Sequence, residues 1–222
     1  MSGSSPVKRI AFVSNSAWSV YNFRLDVIRS LIVAGHPVIV IAQEDDYAAA
    51  LERAGCIFVP IKFNNRTANP LSDILFYKKL RKLYSVHRPD FIFHFVAKPN
   101  IYGSLAAAAN NIPSVAVVTG LGYPFGKRNW LFTVMKLLYR YSLKKATEVW
   151  FLNNEDAKVF ISEKIVGIGK MKVMPGEGIN TAYFNPDSAI APHPVFTFIM
   201  STRLLRSKGI MIYADAARIL RK

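Results

Sequence analysis

Five short tracts carry the side chains that could handle a sugar or a phosphate. Ser14-Asn15-Ser16-Ala17-Trp18-Ser19 follows a β-branched run. Its hydroxyl, amide and backbone groups, Asn15 and Ser16 foremost, suit a polyhydroxyl ligand at the mouth of a sheet. Lys98-Pro99-Asn100 offers a cation for a diphosphate and a carboxamide for a hydroxyl. Thr119-Gly120-Leu121-Gly122 contains two glycines, Gly120 and Gly122, that let backbone approach a ligand closely. Pro175-Gly176-Glu177-Gly178-Ile179-Asn180 reads either as a hinge that puts Gly176, Glu177 and Gly178 on an interdomain cleft or as a simple turn. Arg203 and Lys208 flank a strand end and a helix start, where cations and backbone N–H groups together make a diphosphate clamp.

Other candidates weigh less. His94 sits inside an apolar run and is expected to be a hydrogen-bonded core histidine. Glu44-Asp45-Asp46 is acidic, yet there is no Asp-x-Asp and no histidine cluster with ligand spacing. Neither a metal nor a cofactor is therefore expected. A G-x-G-x-x-G dinucleotide fingerprint is absent.

These tracts need elements to hold them. Short β-branched runs alternate with longer helical patterns, the signature of a parallel α/β sheet. The runs at 10–13, 37–42, 56–61, 90–96, 113–118, 148–152 and 170–174 predict about seven strands, a doubly wound Rossmann-like domain. Helices are predicted from near Asn22 to Gly35, ending at Gly55, from Pro70 to His87, from Ile101 to Asn110 and from Trp130 to Lys145. Every candidate tract then leaves the carboxyl end of a strand, the edge at which open α/β sheets bind ligands. The Pro-, Ala- and Ser-rich stretch 185–194 reads as a linker. It separates a first domain, 1–184, from a truncated start of a second, 195–222, with a fresh strand at 195–201 and a fresh helix from Gly209.

Composition narrows the partners. With 51% hydrophobic residues the chain is a folded domain, and the single Cys56 excludes a disulfide framework. A net charge of +15 concentrates anions, among them nucleotide diphosphates, anionic lipids and nucleic acid. No helix-turn-helix, RRM or zinc pattern supports the last. No apolar run approaches the roughly 18 residues of a membrane span, and residues 1–6 lack a signal-peptide core. Mixed aromatic and basic residues at 129–145, and Tyr77, Lys78, Lys79, Arg81 and Lys82 on the earlier helix, predict that one or other of these helices makes peripheral contact with an anionic membrane surface. A reducing, cytoplasmic setting is expected, at the inner face of the membrane.

Jointly the tracts resemble family-4 retaining glycosyltransferases of the GT-B fold, in the bacterial branch that extends lipid-linked sugars. The resemblance rests on Ser14 to Trp18 with Tyr21-Asn22-Phe23-Arg24, Lys98 to Gly103, Thr119 to Gly122 with Phe125, Gly176 to Asn180 with Phe184, and Arg203-x4-Lys208-Gly209. It implies a first domain that binds the acceptor through Asn15, Ser16, Lys98, Asn100, Gly120 and Gly122. It implies a second that holds a UDP-sugar, with Arg203 and Lys208 on the donor diphosphate. The implied reaction moves a sugar, an N-acetylhexosamine, from UDP to a polyprenyl-diphosphate-linked acceptor in cell-surface polysaccharide or glycan synthesis.

Two departures limit the transfer. The loop after the fifth strand reads Thr119-Gly120-Leu121, without the histidine of many members, and the family's Glu-x7-Glu motif belongs to a part of the second domain not reached here. No catalytic residue is assigned, and the chain alone is expected to be inactive. Competing readings are a sugar-nucleotide epimerase of the same architecture and a non-catalytic membrane-docking half of a split transferase.

Overall fold

The computed structural model describes residues 6–64, 69–122, 125, 129–185 and 195–220. The chain divides into two compact units, 1–180 and 181–222. The expected first-domain end lies at 184, and most of the expected linker (186–194) lies outside the described residues, as do Tyr123, Pro124 and Gly126 of the glycine loop.

The first unit is a seven-stranded parallel sheet in the order β3-β2-β1-β4-β5-β6-β7. The strands are β1 Ile10–Val13, β2 Val38–Ala42, β3 Ile57–Pro60, β4 Phe91–Phe95, β5 Ser114–Val118, β6 Glu148–Phe151 and β7 Met171–Val173. All five residues of β2 and of β5 are buried, as expected of strands packed on both faces. Successive strands run outward in one direction from β1 and in the other from β4. The switch point therefore lies between β1 and β4, where Val13 pairs with His94.

Helices α1 (Ala17–Val33) and α2 (Ala48–Arg53) cover one face over β1 to β3. Helices α3 (Pro70–His87), α4 (Ser104–Ala109), α5 (Trp130–Leu143) and α6 (Asn154–Ser162) cover the other. The expected start of α1 near Asn22 is five residues late. The side chain of Ser16 accepts the Ser19 N–H and caps the helix at once, so the polar loop is also the first turn. The helix expected from Ile101 begins as a π turn over Pro99–Gly103. Helix α6, absent from the sequence reading, is capped by Asn153, which accepts from Asp156 N–H at 2.7 Å.

Toward β6 the α1 face of the sheet opens into an apolar groove lined by Phe12, Phe93, Phe95, Val117, Trp150 and Leu152. Phe12 stacks on Phe93 with ring centroids 5.3 Å apart, and Phe93 meets Trp150 at a 60° tilt with centroids 5.6 Å apart.

In the second unit the strand expected at 195–201 is absent: the residues there enter no sheet among the described residues. A strand needs a neighbour to satisfy its N–H and C=O groups, and this unit supplies none among its described residues. A 3-10 turn at Arg206–Lys208 ends at Gly209, whose φ of 78° starts α7 (Ile210–Leu220). No described residue of 195–220 is buried.

Candidate functional site

The loops after β1 and β4 flank the switch point. Ser14, Asn15, Ser16 and Ser19 form one hydrogen-bonded knot there. Ser14 Oγ lies 2.8 Å from Ser19 Oγ, both hydroxyls reach Asn15 Oδ1 at 3.3 Å, and the Asn15 carbonyl accepts from Gln43 Nε2 at 3.0 Å. Asn15 and Ser16 remain half-buried at the sheet edge, with Trp18 exposed beside them and edge-on to Phe23 at 5.6 Å.

The first-turn N–H groups of α1 are already used. Ala17 donates to the Gln43 carbonyl at 3.0 Å, Trp18 to Asp45 Oδ2 at 2.9 Å, and Ser19 to Ser16 Oγ at 3.2 Å. Asp45 also accepts from Tyr47 N–H at 3.0 Å. A carboxylate over a helix N-terminus is favourable for the helix and repels a second anion. The acidic cluster thus has a local role, and this loop is suited to neutral hydroxyl groups rather than to phosphate.

Lys98 and Asn100 follow β4 across a strained turn. Val96 has φ 64°, the left-handed region that a β-branched residue rarely enters, and strain of this kind collects at functional sites. Lys98 Nζ lies 2.5 Å from Asp73 Oδ1, and the other oxygen of Asp73 accepts from Tyr102 OH at 2.9 Å. Burial and, next, the Asp73 carboxylate push the Tyr102 phenol well above its ordinary range. The ammonium expected to face a diphosphate is therefore engaged inside the domain. Asn100 is fully buried, its Nδ2 donating to the Val117 carbonyl at 2.9 Å, so it braces β5 from behind the loop. Gly120 and Gly122, after β5, are exposed with φ 144° and 71°. A Cβ on Gly120 would meet nothing within 4 Å, so this backbone lies open to a ligand.

Glu177 leaves the end of β7 and returns to α1. Its carboxylate pairs with the Arg24 guanidinium, which lies 4.1 Å over the Phe95 ring and donates to the Ser19 carbonyl at 3.2 Å. Arg24 is only 7% exposed, and its pKa is lowered by desolvation, with Glu177 opposing. Gly176 and Gly178, with φ 93° and 78°, form the tight turns on either side of Glu177. Arg203 and Lys208 lie in the second unit, both exposed, before the N-terminus of α7. His94 is fully buried, its Nε2 2.9 Å from Tyr84 OH, and burial lowers its pKa to about 3. It is a neutral core residue, as expected.

Arg24 and Asp73 are the pieces whose roles sequence reasoning passed over, and both left a signal. Each occupies the inward stripe of its helix: Ala17, Val20, Arg24, Ile28 on α1 and Asp73, Phe76, Leu80, Tyr84 on α3. A charge at such a position requires a buried partner.

A family described as glycosyl transferase 4-like matches residues 9–153, spanning the switch point and the loops after β1, β4 and β5. The chain belongs to that family. It is 29% identical, over 96% of its length, to the N,N'-diacetylbacillosaminyl-diphospho-undecaprenol alpha-1,3-N-acetylgalactosaminyltransferase of Campylobacter jejuni, of which it covers 61%. It is 28% identical over 73% of its length to the UDP-Gal:alpha-D-GlcNAc-diphosphoundecaprenol alpha-1,3-galactosyltransferase of Escherichia coli, covering 44% of that protein. A glycosyltransferase from Rickettsia africae superposes with a TM-score of 0.59 at 18% identity, over 83% of this chain and 47% of that one, which shows the shared GT-B fold. This glycosyl transferase 4-like chain thus spans less than two thirds of the curated relatives it matches.

Proposed function

We propose that the first unit is the acceptor-side domain of a glycosyltransferase that extends a polyprenyl-diphosphate-linked sugar. The carrying observation is the pairing of a hydroxyl knot, Ser14 to Ser19, whose helix N-terminus Asp45 already occupies, with the exposed glycine backbone of Gly120 and Gly122 at one edge of the sheet. Acceptor hydroxyls suit such groups. The relatives named for sugars on diphospho-undecaprenol support the acceptor class.

The donor is a UDP-sugar, an N-acetylhexosamine derivative, held on the second unit with Arg203 and Lys208 toward its diphosphate. As the nucleoside diphosphate departs, negative charge grows on it. Fixed cations and helix N–H groups stabilise that charge, so the step needs no metal in this reading. Gly176, Glu177 and Gly178 close the first unit after β7, with Glu177 anchored by Arg24. The setting is the cytoplasmic face of a membrane, reached peripherally. Among the described residues no helix is long and apolar enough to cross one.

The test is acceptor binding by this chain, read from Trp18 fluorescence. A short-prenyl diphosphate carrying the sugar is titrated against wild type and Trp18→Phe. Saturable binding with a Trp18-dependent signal supports the reading, whereas a folded chain that binds no such compound sinks it. Transfer from a panel of UDP-sugars, lost on Arg203→Ala and Lys208→Ala in a chain carrying a complete second domain, tests the donor half.

A further inference from the structure

Helix α5 carries apolar residues on the side opposite its buried face, with Thr133, Lys136 and Arg140 confined to one flank. Its inward side buries Tyr139, Ser142 and Leu143, as a helix on a sheet must. Its outward side should then be charged. Instead Trp130, Val134, Leu137 and Tyr141 stand 72%, 40%, 58% and 63% exposed. Their spacing of four, three and four residues keeps them within an arc of about 60° on a helix of 3.6 residues per turn. The result is an apolar seam running along the outside of a helix roughly 21 Å long.

The seam ends in cations. Arg140, Lys144 and Lys145 are exposed at the last turn. Arg140 and Lys144 border a hollow of about 570 Å³ between the ends of α5 and α6, whose lining also includes Lys164 and Lys170, two exposed isoleucines, Ile161 and Ile168, and no carboxylate. Lys170 Nζ donates to the Lys144 and Ala146 carbonyls at 2.7 and 2.8 Å, masking the negative pole of the helix. Lys136 holds Glu163 at 2.6 Å, which ties α5 to the end of α6 and occupies an acidic group close to the seam.

We propose that this outer face of α5, with the basic hollow at its end, docks onto an anionic lipid bilayer. It rests on the acceptor reading above, since a lipid-linked substrate must be met at a membrane. An apolar stripe with a cationic flank is the pattern of a helix lying in the interface plane, its apolar side chains among the acyl ends and its cations at the headgroups. A protein partner would need carboxylates against the hollow and has no claim from the seam. Nucleic acid would leave the seam in water. Helix α3 shares this layer and also exposes Leu71, Ile74 and Leu75 with Lys78, but, Val86 in its last turn apart, its exposed apolar residues occupy only its first turns, so it is the control surface.

Flotation with vesicles of phosphatidylglycerol and phosphatidylcholine, compared with phosphatidylcholine alone, tests the idea on the intact 222-residue chain. Wild type is expected to float with the anionic vesicles and to release as salt rises. Lys144→Glu with Lys145→Glu, both exposed and cheap to fold, should lower partitioning at least tenfold. Trp130→Ser with Leu137→Ser should do the same, while Lys78→Glu with Lys82→Glu should stay within about threefold. Brominated acyl chains should quench wild-type tryptophan emission and lose most of that effect in Trp130→Phe, whose circular dichroism reports folding. No flotation of the wild type, equal loss from the α3 pair, or quenching that survives Trp130→Phe would overturn the assignment. The readout needs neither sugar nucleotide nor acceptor. Vesicle binding without binding of the short-prenyl acceptor would refute the acceptor reading alone, and the reverse would refute the docking face alone.

Discussion

Removing Glu177 should destabilise the first unit more than removing Arg24, although the two side chains form one ion pair. Arg24 is 7% exposed and lies against Phe95, so Glu177→Ala leaves a desolvated cation with only the Ser19 carbonyl and two aromatic faces. Breaking a buried pair this way costs about 3–5 kcal/mol; the 21% exposure of the Glu177 side chain admits some water and brings the expectation to about 2–3 kcal/mol. Arg24→Met is the opposite case. Methionine fills the slot on Phe95, and the partly exposed Glu177 regains water, so the loss is about 1 kcal/mol, much of it the cation–π contact. Urea unfolding followed by tryptophan fluorescence measures both. At about 2 kcal/mol per molar, the midpoints should fall by about 1–1.5 M and about 0.5 M. The double variant should resemble Arg24→Met, because the orphaned cation is gone. Equal losses, or a larger loss for Arg24→Met, would show that the guanidinium is hydrated and that the pair does not fasten the Gly176–Gly178 turn to α1.

Further outcomes follow from the core. A Cβ on Gly103 would lie 2.4 Å from His94 Cδ2, so Gly103→Ala should cost about 1–3 kcal/mol in the same urea assay. His94, with its pKa lowered to about 3 by burial, binds its proton far less readily folded than unfolded. Stability from this group is full above the unfolded value near 6.5 and is lost on acidification at about 1.4 kcal/mol per pH unit, or about 2.7 kcal/mol by pH 4.5. His94→Asn should remove that component, seen as the difference between the two stability–pH curves. Lys98→Met should cost about 2 kcal/mol by stranding Asp73, and Asp73→Asn in the same chain should restore part of it, measured by thermal melting. Cys56 is 7% exposed and its thiol is pushed up to about 11 by burial, so a disulfide reagent at pH 8 should react only as the chain unfolds.

The sequence by itself determined the alternating α/β order and the places of all seven strands of the first unit, and with them the carboxyl-edge position of the four candidate loops there. Those properties follow from local pattern: β-branched runs, and left-handed glycines after helices, such as Gly35 and Gly55. The helix boundaries were less legible where a polar loop doubles as a first turn, as at Ala17. The strand expected at 195–201 had the right residues but no neighbour, and pairing is a property of two segments. Only the tertiary structure decided which charges were free to meet a ligand. Lys98 looked available in sequence and is held by Asp73, 25 residues away, while Glu177 is held by Arg24 across 153 residues. The acidic run Glu44 to Asp46 is spoken for by the first turn of α1 through Asp45. Sequence spacing fixes what lies on one face of one element; whether a charge is already paired depends on what the fold lays against that face, and no local pattern encodes it.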